Sequence, residues 1–347
     1  MKKLLSLLIC LPLFTFSQQT INASITHDGI QREYILYVPA SYTFGTEVPL
    51  LFNFHGYTSN ASQQMLYGSF TSIADNEGFI IVHPEGTLDN TGTTHWNVGW
   101  GGSTVDDIGF TSALIDSISS EYSINLNRVY STGMSNGGFM SYQLACELSD
   151  KIAAIASVTG SMNIGWFNSC NPNHPMPVME IHGTVDPTVS YNASSYTESM
   201  SDIMDFWANF NNCNSSPITT NIPNTNIIDG CTAEHQIWEN GDNGVEVEHY
   251  KIIDGAHTWP GAPFVLGTTN YDIDASEKIW EFFSKYDING LLFATSIESS
   301  LSEKNRKIIS IVDVLGRDVP KYTKGLVFYI YDDNSVEKFI NLEEQNN

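Results

Sequence analysis

Short, nearly unbroken apolar runs recur along this chain, at residues 48–54, 78–82, 152–158 and 177–181. A strand wet on one face alternates apolar and polar residues, whereas a continuous run marks a strand buried on both faces. Several of these runs stop at glycine or proline, in His55-Gly56, Pro84-Glu85-Gly86 and His182-Gly183. Between and after them lie stretches of helical spacing at 65–74, 137–147, 203–210 and 275–283, and another through 110–118 that Asp106 or Asp107 can cap. Further strands are expected at 34–38, 128–132 and 245–253. Strands that need cover on both faces, alternating with helices, define an α/β fold with a mostly parallel central sheet and helices on both faces. Ligands of such sheets bind beyond the carboxyl ends of the strands, so residues at the ends of the runs are the first candidates for chemistry.

The strongest of these is Gly133-Met134-Ser135-Asn136-Gly137. It follows an expected strand and opens an expected helix, the setting of a G-x-S-x-G nucleophile elbow. The glycines let strand and helix approach closely, and the helix N-terminus points partial positive charge at a developing oxyanion. A serine nucleophile needs a base and an acid. Asp186, in His182-Gly183-Thr184-Val185-Asp186-Pro187, ends a later strand. Of the histidines after it, His235 lies in a polar stretch and His249 in mid-strand, whereas His257 lies in the glycine- and proline-rich Asp254-Gly255-Ala256-His257-Thr258-Trp259-Pro260-Gly261. The order Ser135, Asp186, His257 is that of α/β-hydrolases, not of the chymotrypsin or subtilisin triads. The backbone N–H groups of Tyr57 and Asn136 are the expected oxyanion donors. His55 reads as structural. Tyr57, Trp100 and Trp259 are expected to line an apolar cleft, while Trp96 and Trp166 fit loop packing at least as well. No histidine or cysteine spacing matches a metal site, and the chemistry calls for no cofactor.

With 39 acidic against 15 basic residues, the chain cannot neutralise a phosphate backbone, which excludes nucleic acid as a partner. Lys2 and Lys3 precede an apolar run from Leu4 to Phe16 that is too short to span a bilayer, the pattern of an export signal at residues 1–17. Four cysteines remain after it: Cys146, Cys170, Cys213 and Cys231. Three pairings are open, and nearest-neighbour pairing, Cys146 with Cys170 and Cys213 with Cys231, is the expected one. The hydrolase domain is placed at 18–286. A linker and a small β-rich region follow at 287–347, with β-like segments at 307–314 and 326–331.

Taken together, Phe54-His55-Gly56, His83-Pro84-Glu85-Gly86, Trp96-Asn97, Val105-Asp106-Asp107-Ile108-Gly109-Phe110, Asn127-Arg128-Val129-Tyr130, the elbow, His182 to Pro187 and His257-Thr258-Trp259-Pro260-Gly261 resemble the secreted polyhydroxybutyrate depolymerase and feruloyl esterase group of α/β-hydrolases. The resemblance implies a secreted serine esterase with its triad on Ser135, Asp186 and His257; a monomer is expected. It implies an ester substrate of the polyhydroxyalkanoate, aromatic polyester (such as polyethylene terephthalate) or feruloyl and acetyl cell-wall kind. Members often carry a cysteine pair after Trp96-Asn97, where this chain has Gly99-Trp100-Gly101-Gly102. The tail, with Ile311-Val312-Asp313-Val314-Leu315-Gly316-Arg317 and residues 328–338, resembles a type IX secretion sorting domain. That implies an outer-membrane secretion machinery as partner and release from, or attachment to, the cell surface. The rival readings are a serine peptidase on the same fold and a non-catalytic surface adhesin.

Overall fold

The computed structural model describes residues 18–292, 308–313, 316–320, 325–332 and 336–341. The export signal expected at 1–17 lies outside the described residues, as do residues 293–307 of the region where a linker is expected. Two units divide the chain, Met1–Leu292 and Phe293–Asn347.

The first unit is built on a ten-stranded sheet. Its strands in chain order are β1 (Gln19–His27), β2 (Ile30–Val38), β3 (Val48–Phe54), β4 (Ile80–Pro84), β5 (Ile124–Met134), β6 (Ala154–Val158), β7 (Val178–Gly183), β8 (Ile218–Asn221), β9 (Thr232–Trp238) and β10 (Val247–Ile253). Their spatial order is β1-β2-β4-β3-β5-β6-β7-β10-β9-β8. The six central strands, β4 to β10 in that order, run parallel. Antiparallel pairs close both edges. This is the α/β-hydrolase arrangement, with the expected mostly parallel centre.

The continuous apolar runs account for the layering. Every residue of β3 is buried. Leu50, Phe52 and Phe54 point into one core and Leu51 into the other, as the two-residue period of a strand requires. Helices α3 (Asp107–Glu121), α4 (Asn136–Glu147) and α5 (Met200–Phe210) cover the first face, and α1 (Ala61–Gly68), α2 (Thr71–Glu77) and α6 (Ala275–Phe283) the second. Asp106 Oδ1 caps α3 by accepting the Gly109 N–H at 2.8 Å. Asn60, Ser199 and Asp274 cap α1, α5 and α6 in the same way, each worth about 1 kcal/mol. The helix expected at 65–74 is instead two helices. Gly68 passes so close to the Asn53 carboxamide that a Cβ there would sit 2.8 Å from Nδ2, and Ser69 turns left-handed at φ 48°. Beyond α6, the hairpin of Tyr286–Asp287 and Gly290–Leu291 completes this unit. Among the described residues no helix is long and apolar enough to cross a membrane.

Cys146 and Cys170 form a disulfide, but the second expected pair does not exist, because Cys213 and Cys231 are free thiols. Strand β9 holds them apart. Asn214 N–H binds the Glu239 carbonyl just past its end, while Cys231 stands before its first residue. Seven residues of strand at ~3.3 Å each separate the two ends by about 23 Å, far beyond the ~7 Å limit on the Cα spacing of a disulfide.

The second unit contains a three-stranded antiparallel sheet of Ile308–Asp313, Gly325–Tyr331 and Val336–Asn341, with the middle segment central.

Candidate active site

Ser135 lies between β5 and α4 with φ 54° and ψ −117°, a conformation that L-residues avoid and that persists only when the surroundings impose it. They do so through close packing. A methyl group on Gly137 would overlap the Phe54 carbonyl, and one on Gly133 would come 2.6 Å from the same oxygen. Only glycine lets β3, β5 and α4 meet here. The Ser135 N–H donates to the Val158 carbonyl at 2.8 Å, which ties the turn to β6.

Asp186 follows β7, and His257 follows β10, its parallel neighbour. A Cβ on Gly183 would overlap the Gly255 carbonyl, so glycine at 183 lets the two strand exits touch. Val185 N–H bonds to the Gly255 carbonyl at 3.1 Å and Asp254 N–H to Thr184 Oγ1 at 2.9 Å, stitching the loops together. His257 Nδ1 then lies 2.6 Å from Asp186 Oδ2. Asp186 Oδ1 accepts the N–H groups of Thr188 at 2.7 Å and Val189 at 2.9 Å. Burial alone would raise the Asp186 pKa, but the bond and charge of His257, the charge of His182 and the Thr188 N–H outweigh it and hold the carboxyl below its ordinary value. An ionised carboxylate only accepts, so Nδ1 of His257 carries the proton and Nε2 is left as an acceptor.

A fully buried pair, Glu180 and His182, stands behind Asp186. His182 Nδ1 is 2.9 Å from Glu180 Oε1, and its Nε2–H donates to the Val189 carbonyl at 2.9 Å and lies 3.5 Å from Asp186 Oδ2. Burial would lower the His182 pKa, but Glu180 outweighs it and raises it. Tyr142 Oη–H donates to Glu180 Oε2 at 2.8 Å. A glutamate within the apolar run at 177–181 was the sequence signal for this pair.

The loop after β3 comes up beside the serine. A Cβ on Gly56 would lie 3.5 Å from the Ser135 Cβ. Burial lowers the His55 pKa to about 4, so the ring is neutral. Its Nδ1–H donates to the Gly56 carbonyl at 2.8 Å and its Nε2 accepts the Gly86 N–H at 2.9 Å, a structural part. Asn136 N–H, at the first residue of α4, has no intrahelical acceptor. The Asn136 carboxamide accepts the Trp96 N–H at 2.6 Å and donates to the Trp96 carbonyl at 3.1 Å. Trp96 is fully buried, as its packing reading required.

Two cavities flank Ser135 and share Tyr57, Ser135 and Thr188 in their walls. One, of about 660 Å³, is bounded by Trp100, Phe139 and Tyr196. The other, of about 640 Å³, is bounded by His257, Gln63, Gln64, Tyr67, Phe264 and Leu266. Ser135 and His257 thus face one cavity. Among the described residues the serine hydroxyl makes no hydrogen bond to the ring, a contact that commonly tightens only when substrate binds. Tyr57 and Trp100 line the cleft, but Trp259 does not. It is 1% exposed: its indole N–H donates to Ser276 Oγ at 3.0 Å, its backbone N–H donates to Tyr67 Oη at 3.0 Å, and its ring packs on Phe70. Two residues after the histidine, the chain has already turned inward. Tyr67, Phe264 and Leu266 take its place in the wall. The signal for the last two was an apolar triplet, Phe264-Val265-Leu266, inside a polar loop.

Fold and elbow together define an α/β-hydrolase. The family described as Esterase PHB depolymerase matches residues 32–205, half of the chain, and the chain belongs to that family. Among curated relatives, a bifunctional acetylxylan esterase/xylanase of Neocallimastix patriciarum is 28% identical over 281 residues, covering 80% of this chain and 36% of its own. Feruloyl esterase B of Piromyces equi is 30% identical over 237 residues, covering 65% and 42%. This chain therefore spans less than half the length of either. An acetyl xylan esterase structure from Aspergillus awamori shares the fold at 16% identity and TM-score 0.52, covering 78% of this chain and 99% of that one.

Proposed function

We propose that the chain is a secreted serine carboxylic-ester hydrolase working through an acyl-enzyme. The observation that carries this reading is His257, bonded through Nδ1 to Asp186 at 2.6 Å while sharing a cavity wall with Ser135. His257 Nε2 takes the Ser135 proton as Oγ bonds to the ester carbon. The N–H groups of Tyr57 and Asn136 hold the oxyanion. The proton passes to the leaving alcohol as the carbon–oxygen bond breaks, and water repeats the sequence in reverse to free the acid. Asp186 keeps the tautomer and stabilises the imidazolium.

The names of the relatives favour cell-wall esters, feruloyl or acetyl, among the candidate substrates. Polyhydroxyalkanoate and aromatic polyesters present the same ester group and form the other arms of the test. The N-terminal signal pattern supports export, and the antiparallel β-segments of the tail support a sorting module read by an outer-membrane machinery. The test is a panel of feruloylated and acetylated xylan, polyhydroxybutyrate and an aromatic polyester, with Ser135→Ala as control. Release of ferulate or acetate that vanishes in the variant supports the reading. Release unaffected by Ser135→Ala, or no release from any arm, overturns it.

A further inference from the structure

The two cavities are unequal with respect to the histidine, and that inequality assigns them. Once Ser135 Oγ has bonded to an ester carbon, three substituents remain: the oxyanion, the leaving oxygen and the acyl chain. The oxyanion points at the N–H groups beside Ser135. The leaving oxygen must reach the imidazole that protonates it, and His257 lines only the 640 Å³ cavity. The acyl chain is left with the 660 Å³ cavity, whose wall lacks His257.

Resting on the serine-esterase reading, we propose that the 660 Å³ cavity is an acyl slot for a neutral aromatic acid. Trp100 is its specificity-determining wall, and the 640 Å³ cavity holds the alcohol. The two linings carry the chemistry each role needs. Trp100 stands on a loop where Gly99, Gly101 and Gly102 all have φ near +80°, at 82°, 82° and 84°. These bends bring the indole edge-on to Phe139, centroids 5.0 Å apart, and to Tyr57 at 6.4 Å. Such T-shaped sets accept a further ring. Ser190, Ser194 and Thr197 line the same slot, and among the described residues no charged side chain does, so the acid is uncharged apart from its reacting carboxyl and can bear polar substituents. An acetyl group would leave most of 660 Å³ empty. A hydroxycinnamoyl group has the ring and the polar substituents to use it. On the alcohol side, Gln63 stands among Tyr67, Phe264 and Leu266, a polar side chain beside an apolar surface, which suits a sugar.

The experiment crosses two acyl groups with two alcohols: acetate and ferulate esters, each of methanol and of arabinose. Trp100→Ala is expected to lower the ferulate-to-acetate ratio of kcat/KM about five- to tenfold, the scale of one lost aromatic contact, and to leave the arabinose-to-methanol ratio in place. Trp100→Phe is expected to restore most of the acyl preference. Leu266→Ala is expected to do the opposite, moving the alcohol ratio alone. Both side chains are partly exposed, 43% and 62%, so neither substitution empties the core. A Trp100→Ala effect on the alcohol ratio, or no effect on the acyl ratio, overturns the assignment while Ser135-dependent turnover still supports the esterase reading. No hydrolysis of any of the four esters, or hydrolysis indifferent to Ser135→Ala, overturns both.

Discussion

Asp186→Asn is the substitution in which this geometry predicts a large loss of rate from a change of one atom. Oδ1 of Asp186 accepts two backbone N–H groups, from Thr188 at 2.7 Å and Val189 at 2.9 Å. In the variant only the amide oxygen can take them, so the amide nitrogen must occupy the Oδ2 position, 2.6 Å from His257 Nδ1. Two donors then face each other. His182 Nε2–H, 3.5 Å from Oδ2, opposes an amide nitrogen there but cannot turn it, because turning would break both backbone bonds. The His257 ring resolves the conflict by moving its proton to Nε2, where Ser135 needs an acceptor. In a serine triad this tautomer error costs about 10⁴ in kcat. At 1.36 kcal/mol per tenfold, the expected loss is ~5 kcal/mol of barrier. The assay is kcat/KM at neutral pH on a soluble ester that the parent enzyme hydrolyses, with circular dichroism to confirm the fold. Asp186→Ala should be no worse than Asp186→Asn, since it leaves the ring free to choose either tautomer. An Asn variant within tenfold of the parent would refute the role given to Asp186.

The neighbouring features give further expectations. Gly183→Ala drives a methyl group into the Gly255 carbonyl. It should lower stability by about 1–3 kcal/mol and reduce kcat/KM as the loops of Asp186 and His257 part; unchanged melting and turnover would contradict the close approach. Burial pushes the Cys213 and Cys231 thiols up to about 11, so a chain beginning at residue 18, without Cys10, should ignore a thiol reagent at pH 8 when folded and show two thiols when denatured, whereas a count of zero would restore the second disulfide. Reducing Cys146–Cys170, which closes a loop of sequence separation 24, should cost about 3.5 kcal/mol by loop entropy, readable as a shift in urea midpoint. Burial would raise the Glu248 pKa, but His235 and Lys285 outweigh it and lower it. Its stabilisation is therefore complete above the unfolded value of about 4.3 and lost as pH falls through the lower folded one. Glu248→Gln should flatten the acid side of a melting-temperature profile, and an unaltered slope would exclude this ion pair as a source of it.

The sheet was legible because its strands are buried on both faces, and β3, β4, β6 and β7 announce that as unbroken apolar runs. The edge strand β8 and its neighbour β9 are polar, with every residue of Ile218–Asn221 exposed, and carry no such mark. The elbow was legible because close packing demands glycine at 133 and 137, and a demand for glycine survives in sequence. Direction was not legible. Trp259 adjoins His257 yet points into the core because Ser276 and Tyr67 offer its two N–H groups acceptors from distant elements. Cys213 and Cys231 are successive cysteines in the sequence but lie at opposite ends of one strand. Glu180 stands out as a single charge within an apolar strand, but its pairing was not legible, since His182 is two residues on and becomes a partner only because both side chains share a face.

Covalent trapping tests the central claim most directly. The protein is treated with a fluorophosphonate, digested, and its adduct mapped by mass spectrometry. A single adduct on Ser135, formed slowly or not at all after His257→Ala, is the outcome these contacts require. A chain that stays unlabelled, or one labelled at another serine at the same rate, would mean that the hydroxyl at this turn is not activated.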